Sequence, residues 1–365
     1  MSDPTRVGVM GVGSMGNHHA RVYAELQDAE LVGVHDIDGD RAASVAASHG
    51  TVALTADELL DRTEAVSVAV PTRYHHEVAR RAIDAGVDVL VEKPLAATVE
   101  QGRELLARAN REGVTLQVGH VERFNPAVRT LADVVPDLEV IGIDARRLGP
   151  PVDRDDGASV ALDLMLHDLD VALSVVEGDD IEIVAADGTR ADGARGNRYV
   201  GATVRFGDVV GTFRASRVTQ RKVRRLSITA EECTVVVDYI DRSVRIFRQS
   251  IPEYVQQNGE VRYRHEGVIE RPTVENGEPL KFQLEAFLEA VRTEGRPPVT
   301  GTDGLRALAL AREIESRADG RDDEERRTWG DDEERRTGGD DEERRTWGDD
   351  GEDPRSEEVT SSGAS

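Results

Sequence analysis

The first third of the chain alternates short apolar runs with stretches of helical periodicity. Apolar runs predict buried strands, and apolar residues every three or four positions predict amphipathic helices. An alternation of the two is typical of a doubly wound parallel sheet, so residues 1–122 are predicted to form an α/β domain. We expect strands near 7–10, 31–35, 65–70, 87–91 and 115–118, with helices near 15–26, 41–48, 76–85 and 99–111.

After residue 123 the pattern changes to one very apolar helix followed by successive β-like runs. Strands that follow one another without intervening helices favour antiparallel pairing. Residues 123–318 are therefore predicted to form an α+β domain with a large, mostly antiparallel open sheet. The expected helices lie near 160–176, 282–292 and 304–316, and the strands near 199–206, 209–216, 225–229, 234–239 and 244–247.

The last part of the chain repeats the segments DDEERRTWG, DDEERRTGG and DDEERRTWG, which begin at Asp322, Asp331 and Asp340. A nine-residue repeat with almost no apolar residues cannot bury a core. Residues 319–365 are therefore predicted to be a disordered acidic tail. A docking segment for a partner is the alternative interpretation.

The charge of the chain excludes some functions and favours others. The formal net charge is −25, and only three of the 46 basic residues are lysines. Binding of cationic partners is one interpretation, but a carboxylate-rich, lysine-poor surface favours solubility in a salt-rich cytoplasm, as in halophilic proteins. So acidic a chain is not expected to bind nucleic acid.

The N-terminal segment and the cysteine content predict a cytoplasmic protein. No apolar run near the N-terminus is long enough for a signal peptide or a membrane span. The single cysteine, Cys233, cannot form an intramolecular disulfide, and no Cys/His cluster has metal-ligand spacing. We therefore expect a reducing compartment, no membrane association and no metal site.

A glycine-rich turn between the first strand and the first helix predicts a dinucleotide site. Its cofactor-binding candidates are Gly11, Gly13, Ser14, Met15 and Gly16. Glycines there permit a tight turn, close approach of a pyrophosphate and close helix packing. The alternatives are a turn that binds nothing, or one that binds FAD or S-adenosylmethionine.

An acidic residue at the end of the second predicted strand bears on cofactor choice. Asp36 stands twenty residues after Gly16, where a carboxylate accepts hydrogen bonds from the adenosine ribose and repels a 2′-phosphate. NAD is therefore the expected cofactor. NADP is the alternative, because Arg41 is a cation close enough in sequence to reverse the preference.

Two further features carry candidate chemistry. Lys93 follows the fourth strand at the carboxyl edge of the sheet, where ligands of α/β folds bind, although a salt-bridged lysine is the plainer explanation. On the apolar helix, four residues at i, i+4, i+7 and i+11 form one polar stripe. Such a stripe either faces water or lines a pocket; its members are Asp163, His167, Asp170 and Ser174.

Four motifs in this sequence resemble the Gfo/Idh/MocA family of NAD(P)-dependent oxidoreductases. They are GVGSMG at 11–16, VPTRYH at 70–75, EKP at 92–94 and DLMLH at 163–167. The resemblance implies a Rossmann domain, a dimer or tetramer joined through the open sheet, and Lys93, Asp163 and His167 as the catalytic set. It adds Pro71, Thr72, His75, Glu92 and Lys93 to the cofactor contacts. Thr72 departs from the family, since many members have asparagine there.

A narrower likeness concerns the segment VGHVERFNPA at 118–127, read with KVRRLSITAEE at 222–232. It is similar to the UDP-N-acetylglucosamine 3-dehydrogenase branch of the family. That implies substrate contacts from His120, Arg123 and Asn125, together with Asp163 and His167. A helix entry with Pro126 in its first turn is the plainer explanation of the segment.

Five basic residues stand close together before and within the KVRRLSITAEE segment: Arg217, Arg221, Lys222, Arg224 and Arg225. They are candidates to meet a substrate diphosphate, or to form ion pairs at a subunit interface. Alternation along a strand would direct only some of them to one face.

The expected reaction is oxidation of a sugar hydroxyl. His167 would take the hydroxyl proton, Lys93 would hydrogen-bond the alkoxide, and Asp163 would position the substrate or the imidazole. The roles of His167 and Lys93 are exchangeable at this point. Three functions stay open: a sugar-nucleotide dehydrogenase, an inositol or free-sugar dehydrogenase, and a non-catalytic dinucleotide-binding regulator.

Overall fold

The computed structural model describes residues 3–320 apart from 152–158, 177, 179, 191–195, 250–252, 258–259 and 265–266. Of residues 249, 253–257 and 260–264 only the backbone is described. The acidic repeats begin beyond this part of the chain, so the disorder expected there stays a prediction. Within the described helices, none combines the length and apolarity that crossing a membrane requires.

The N-terminal half is built on a five-stranded parallel sheet with strand order 2-1-3-4-5. Its strands are β1 (Thr5–Met10), β2 (Ala29–His35), β3 (Ala65–Val68), β4 (Asp88–Glu92) and β5 (Leu116–Gly119). The helices are α1 (Ser14–Glu25), α2 (Gly39–Ser48), α3 (Ala56–Leu60), α4 (His75–Asp84) and α5 (Val99–Glu112). The strand order reverses beside β1, and ligands of such sheets bind at the carboxyl edge of this reversal point. The predicted doubly wound α/β architecture is confirmed.

The C-terminal half contains an eight-stranded open sheet, as predicted. Its strands, in spatial order, are β15 (Gly267–Glu270), β12 (Ser243–Gln249), β11 (Cys233–Asp238), β10 (Val223–Ala230), β6 (Val140–Leu148), β9 (Val209–Ser216), β8 (Tyr199–Phe206) and β7 (Ile181–Thr189). All neighbours pair antiparallel except β6 and β9. A separate hairpin joins β13 (Glu253–Gln257) to β14 (Glu260–Arg264).

Four helices accompany the second sheet: α6 (Pro126–Val134), α7 (Leu166–Val175), α8 (Pro279–Thr293) and α9 (Gly301–Ala318). One π-helical turn, Ala161–Met165, leads directly into α7. The apolar helix predicted at 160–176 is therefore present, but its first turn is wider than an α-helix. Since the predicted stripe assumed α-helical spacing throughout, side chains before and after this turn need not share one face.

Several short or charged elements escaped the sequence analysis. The short helix α3 is fixed by a capping box between Thr55 and Glu58, a signal that the sequence does carry. Strand β6 was missed because charged residues occupy both of its faces, including the buried Arg147. Such a strand lacks the clean apolar alternation on which strand prediction depends.

The closing helices connect the two halves of the described chain. Helix α8 packs Leu280, Leu284 and Phe287 into the same apolar cluster as β1 and α1. Helix α9 contributes Leu308 to the other core beside the parallel sheet and Ala311 to the core under the open sheet. Part of the segment predicted as the second domain thus packs against the first sheet, and the boundaries at 122 and 318 stay a prediction.

Candidate functional site

The turn after β1 has the geometry that the glycine motif predicts. Gly11 has a φ of +87°, and a Cβ at Gly16 would lie 1.8 Å from the carbonyl oxygen of Gly11. In contrast, a Cβ at Gly13 would meet no atom within 4 Å. Gly13 begins α1 without a side-chain cap, so the first amides of the helix stay available to an anion. The turn therefore fits the diphosphate of a dinucleotide.

The side chain of Asp36 lies directly beside this turn. Its Oδ2 accepts a hydrogen bond from the Val12 amide at 2.9 Å, and its Oδ1 accepts one from the Asp38 amide at 2.9 Å. Arg41 donates to the same Oδ1 at 3.4 Å and to Asp38 at 3.0 Å. The carboxylate of Asp36 and the guanidinium of Arg41, which both bear on the choice between NAD and NADP, thus lie side by side.

The other predicted cofactor residues differ in accessibility. Ser14, Met15, Pro71 and Thr72 are exposed or partly exposed, in the first turn of α1 and in the turn that follows β3. His75 is buried, and its two ring nitrogens lie 2.8 Å from the carbonyl oxygens of Pro94 and Val70. Because burial lowers the pKa of His75, the neutral ring donates to only one of these carbonyls. In this structure His75 ties two loops of the protein together.

Glu92 is buried behind Lys93 and pairs with a histidine that the sequence analysis missed. Its Oε1 lies 3.0 Å from His19 Nε2, and its Oε2 accepts a hydrogen bond from the Lys93 amide. Burial alone would raise the pKa of Glu92, but His19 and Lys93 hold it below its ordinary value. Glu92 therefore remains a carboxylate that fixes the backbone of Lys93. The available signal was the position of His19 on the buried face of α1, three residues after Gly16.

Lys93 and Asp163 meet across the cleft between the two halves. Lys93 Nζ donates to the Asp163 carbonyl oxygen at 2.9 Å and to its Oδ1 at 3.0 Å. Arg217 donates to Oδ2 of the same carboxylate. Burial would raise the pKa of Asp163, but the cations Lys93 and Arg217 lower it to about 2. Asp163 is therefore ionised at neutral pH and holds the lysine ammonium in place.

His167 belongs to the same cluster of charges. Burial, followed by the positive charges of Lys93 and Arg147, lowers the pKa of His167 well below its ordinary value. Its Nδ1 is buried and has no hydrogen-bond partner among the described residues. The carboxylate of Asp163 binds Lys93 and Arg217, so the described contacts do not include the expected pairing of Asp163 with the imidazole. The ring is a neutral imidazole with proton-accepting capacity.

Of the three residues expected to contact substrate, His120 and Asn125 are buried and Arg123 is partly exposed. His120 is 1% exposed, and both of its ring nitrogens are buried without a partner among the described residues. Arg123 lies 3.6 Å from Asp170. Asn125 is buried at the start of α6, where its side chain accepts from the Ala127 amide. The structure thus brings Lys93, Asp163 and His167 together, and substrate contacts from His120, Arg123 and Asn125 stay a prediction.

A buried ion-pair network lies beneath the cleft, and the sequence analysis did not find it. Arg147 donates to both oxygens of Asp168, at 3.0 and 2.8 Å, and to Glu122 at 2.7 Å. The ring of Tyr239 lies 5.0 Å from the same guanidinium. Burial would lower the pKa of Arg147, but the two carboxylates raise it above its ordinary value. The network anchors α7 immediately after His167.

The five basic residues before and within β10 lie in different surroundings, and strand alternation separates Arg224 from Arg225. Arg217 binds Asp163, and Arg224 lies near enough to Arg147 for its own pKa to be lowered, after burial, by that charge. Arg225 lies on the opposite face of the sheet, 3.4 Å from Asp238. Arg221 and Lys222 are exposed. Two of the five cations therefore face the cleft.

Comparisons with known families match most of this fold. A model for an oxidoreductase family with an NAD-binding Rossmann fold, Gfo/Idh/MocA, matches residues 5–120. The Gfo/Idh/MocA C-terminal domain model matches residues 143–236. The two matches cover the parallel sheet and much of the open sheet.

Individual proteins that are similar to most of this chain support the same family assignment. UDP-N-acetylglucosamine 3-dehydrogenase from Acidithiobacillus ferrooxidans is 32% identical over 85% of this chain and 96% of its own length. Inositol 2-dehydrogenase from Rhizobium meliloti is 28% identical over 84% of this chain and 94% of its own. The solved structure of the Acidithiobacillus enzyme superposes with a TM-score of 0.78, covering 87% of this chain and 99% of that one at 29% identity. This chain belongs to the Gfo/Idh/MocA family and is an oxidoreductase that uses a nicotinamide dinucleotide and acts on a CH–OH group.

Proposed function

We propose that this protein oxidises a secondary hydroxyl of a sugar with NAD, and that its substrate is UDP-N-acetylglucosamine, converted at C3 to the 3-keto sugar. The observation that carries the proposal is the fixed ammonium of Lys93, 3.0 Å from Asp163 Oδ1 and beside the neutral imidazole of His167. The choice of substrate is supported by the similarity of this chain to a UDP-N-acetylglucosamine 3-dehydrogenase, which it matches over 96% of that enzyme's length.

The cofactor-binding residues follow from the turn after β1. The segment Gly11–Gly16 and the first amides of α1 would hold the diphosphate, and Asp36 would accept hydrogen bonds from the adenosine ribose. Ser14, Met15, Pro71 and Thr72 would flank the bound molecule. A nicotinamide dinucleotide supplies the acceptor for the hydride that leaves the sugar carbon. His75 and Glu92 would act indirectly, because their polar atoms hold the loop that carries Lys93.

In the proposed reaction His167 acts as the base and Lys93 provides the positive charge. His167 takes the hydroxyl proton, since its neutral ring has an acceptor nitrogen. Lys93, held in place by Asp163, donates a hydrogen bond to the oxygen that becomes negative. Asp163 positions Lys93. The charge pairing of Lys93 with Asp163 supports this assignment of the two roles.

Arg224 distinguishes a sugar nucleotide from a free polyol, because a diphosphate would need a cation at the cleft. Its guanidinium donates to the Leu148 carbonyl at 3.0 Å and faces the cleft side of β10. With UDP-N-acetylglucosamine, we expect Arg224→Met to raise KM by about 10- to 100-fold, the loss of one charge-assisted hydrogen bond or more. Arg225→Met, on the opposite face, is the matched control.

The assay follows the absorbance of reduced nicotinamide with UDP-N-acetylglucosamine, myo-inositol or glucose, each at low and high salt. Turnover with the sugar nucleotide alone supports the proposal. Turnover with myo-inositol alone would establish the second candidate, an inositol dehydrogenase, which the similarity to the Rhizobium enzyme favours. Turnover with none of the three would contradict both candidates.

Cofactor preference gives a second prediction. Asp36→Ala removes the ribose-binding carboxylate and leaves Arg41 beside the position of a 2′-phosphate. We expect KM for NAD to rise by about 10- to 100-fold and KM for NADP to fall. Steady-state kinetics with both cofactors measure the change, and Asp40→Ala, an exposed substitution on α2, is the control. An unchanged ratio of the two KM values would remove Asp36 from cofactor selection.

We also propose that copies of the chain associate through the open face of the eight-stranded sheet, as a dimer or tetramer. That face carries alternating charges, among them Asp144, Arg146 and Arg214, which are already paired within one chain. Paired charges are less costly to bury at an interface than isolated ones.

A further inference from the structure

The polar residues that were predicted to form one stripe on the apolar helix lie in different environments. Asp163 and His167 lie at the cleft, in the π-helical turn and at the start of α7. Ser174, near the end of α7, lines a separate cavity of about 870 Å³. Between these ends Asp170 is 1% exposed. The stripe therefore runs from the candidate catalytic cleft, through the protein interior, to a second cavity.

That cavity is bounded by residues from α6, from the end of α7 and from the turn between β8 and β9. None of Lys93, Asp163 and His167 lines it. Arg123, in the loop after β5, is part of its wall. Arg123 is 21% exposed and lies 3.6 Å from Asp170, so it connects this buried carboxylate to the water of the cavity.

Two buried groups with unsatisfied polar atoms occupy the interior between the cleft and the cavity. His120 Nδ1 lies 3.9 Å from Asp170 Oδ2, and neither atom has a hydrogen-bond partner among the described residues. His120 Nε2 is likewise buried and unpaired there. Buried polar atoms without partners are costly, and in native proteins they call for an explanation. A small rotation of either side chain would bring the imidazole and the carboxylate into hydrogen-bond contact.

The charged groups around this pair come from several elements. Asp170 faces His120, Arg123 and Asp303. The charges acting on His120 are those of Asp170, Arg123, Lys93 and Glu92. His167 is near enough to His120 for the second ring to influence its pKa. His120 thus lies near both the candidate proton acceptor and Asp170.

We propose that His120 and Asp170 form a proton relay that carries the hydroxyl proton from His167 to the water of the cavity beside Arg123. This inference rests on the proposed dehydrogenase function. Each oxidation of a hydroxyl to a ketone transfers one hydride and releases one proton. His167 passes that proton to one nitrogen of His120, the other nitrogen gives its proton to Asp170, and Asp170 releases it to water and returns to a carboxylate. His120 and Asp170 are positioning and relay residues that do not touch the substrate.

The acidities of the three groups suit this direction. Because burial and neighbouring cations lower the pKa of His167, its protonated form gives up a proton readily. Burial raises the pKa of Asp170, so this carboxylate can hold a proton on its way to water. A bound sugar and cofactor would cover the cleft, whereas none of the candidate catalytic residues lines the cavity beside Arg123.

The first test needs no substrate. Histidine NMR of the full chain labelled with ¹⁵N follows the titration of His120, whose signal is assigned by its loss in His120→Gln. We expect Asp170→Asn to lower the pKa of His120 by about one unit, because the neighbouring negative charge is removed. Asp133→Asn, which changes a carboxylate in the wall of the same cavity, should leave the titration unchanged. An identical titration in wild type and Asp170→Asn would overturn the relay.

The second test separates hydride transfer from proton release. In Asp170→Asn, one turnover should proceed within about twofold of wild type, because His167 can store one proton. Steady-state turnover in dilute buffer should fall about tenfold, show a larger solvent isotope effect and recover when imidazole buffer is added. His120→Gln should behave in the same way, and Asp133→Asn should match wild type.

The results of these tests distinguish a failure of the proton relay from a failure of the proposed dehydrogenase function. Equal losses in the single turnover and the steady state, without recovery by buffer, would show that Asp170 only shapes the site and would overturn the relay. Wild-type turnover together with a normal, buffer-independent Asp170→Asn would also overturn the relay alone. A wild-type chain that reduces no nicotinamide with any of the three substrates would contradict the proposed function itself.

Discussion

Replacing Lys93 with methionine should lower turnover by about a thousandfold while reduced nicotinamide dinucleotide still binds. Methionine keeps most of the unbranched apolar part of the side chain but removes the ammonium that we propose faces the substrate oxygen. It also leaves Asp163 with Arg217 as its remaining cation, so a carboxylate would stand where a positive charge is needed. The loss should appear in kcat, because the interaction strengthens as the oxygen becomes negative.

The measurement pairs absorbance kinetics with fluorescence of the bound reduced cofactor. Lys281→Met, which changes an exposed lysine 3.9 Å from Glu285 on α8, is the matched control and should retain normal turnover. Near-normal turnover of the Lys93 variant would remove this residue from the mechanism. Loss of cofactor binding together with turnover would instead make it part of the dinucleotide site.

The largest expected effect on stability comes from Arg147→Met. Arg147 is 3% exposed and is the partner of both Asp168 and Glu122. Its removal leaves two carboxylates buried or half-buried without compensation, which costs about 3–5 kcal/mol of unfolding free energy. Urea unfolding of the full chain, at a fixed salt concentration, measures the loss.

The neighbouring residue on β6 provides the control for this experiment. Arg146 is exposed on the other face of the sheet and pairs with Asp144 at 2.8 Å. Arg146→Met should therefore change stability by less than about 1 kcal/mol. Adding Asp168→Leu to Arg147→Met should recover part of the loss, since it removes a stranded charge. Equal stabilities of the Arg147 and Arg146 variants would show that the buried network contributes little.

The parallel sheet and its cofactor turn were predictable because their signals are local. The glycine spacing at 11–16 lies between a strand and a helix within one short segment, and Asp36 ends the next strand. The same holds for the apolar helix that carries Asp163 and His167. Hydrophobic periodicity and short local motifs are sufficient to predict such elements.

The remaining features depend on contacts between distant parts of the chain. The pairing of His19 with Glu92 joins residues 73 positions apart, and Arg147 meets Asp168 from a strand 21 positions earlier. A sequence shows that these residues exist but not that folding buries them together. For the same reason the sequence did not show that His120 and Asn125 are buried.

The path of the chain through its two cores limits how the protein can be divided. Because Leu280, Leu284 and Phe287 of α8 complete the apolar cluster around β1 and α1, a fragment cut after the fifth parallel strand would expose that surface. Transplanting the dinucleotide-binding part into a chimera would therefore require the segment that carries α8 and α9 as well. Exchanging N- and C-terminal pieces between proteins would separate α8 from the N-terminal apolar cluster that it completes.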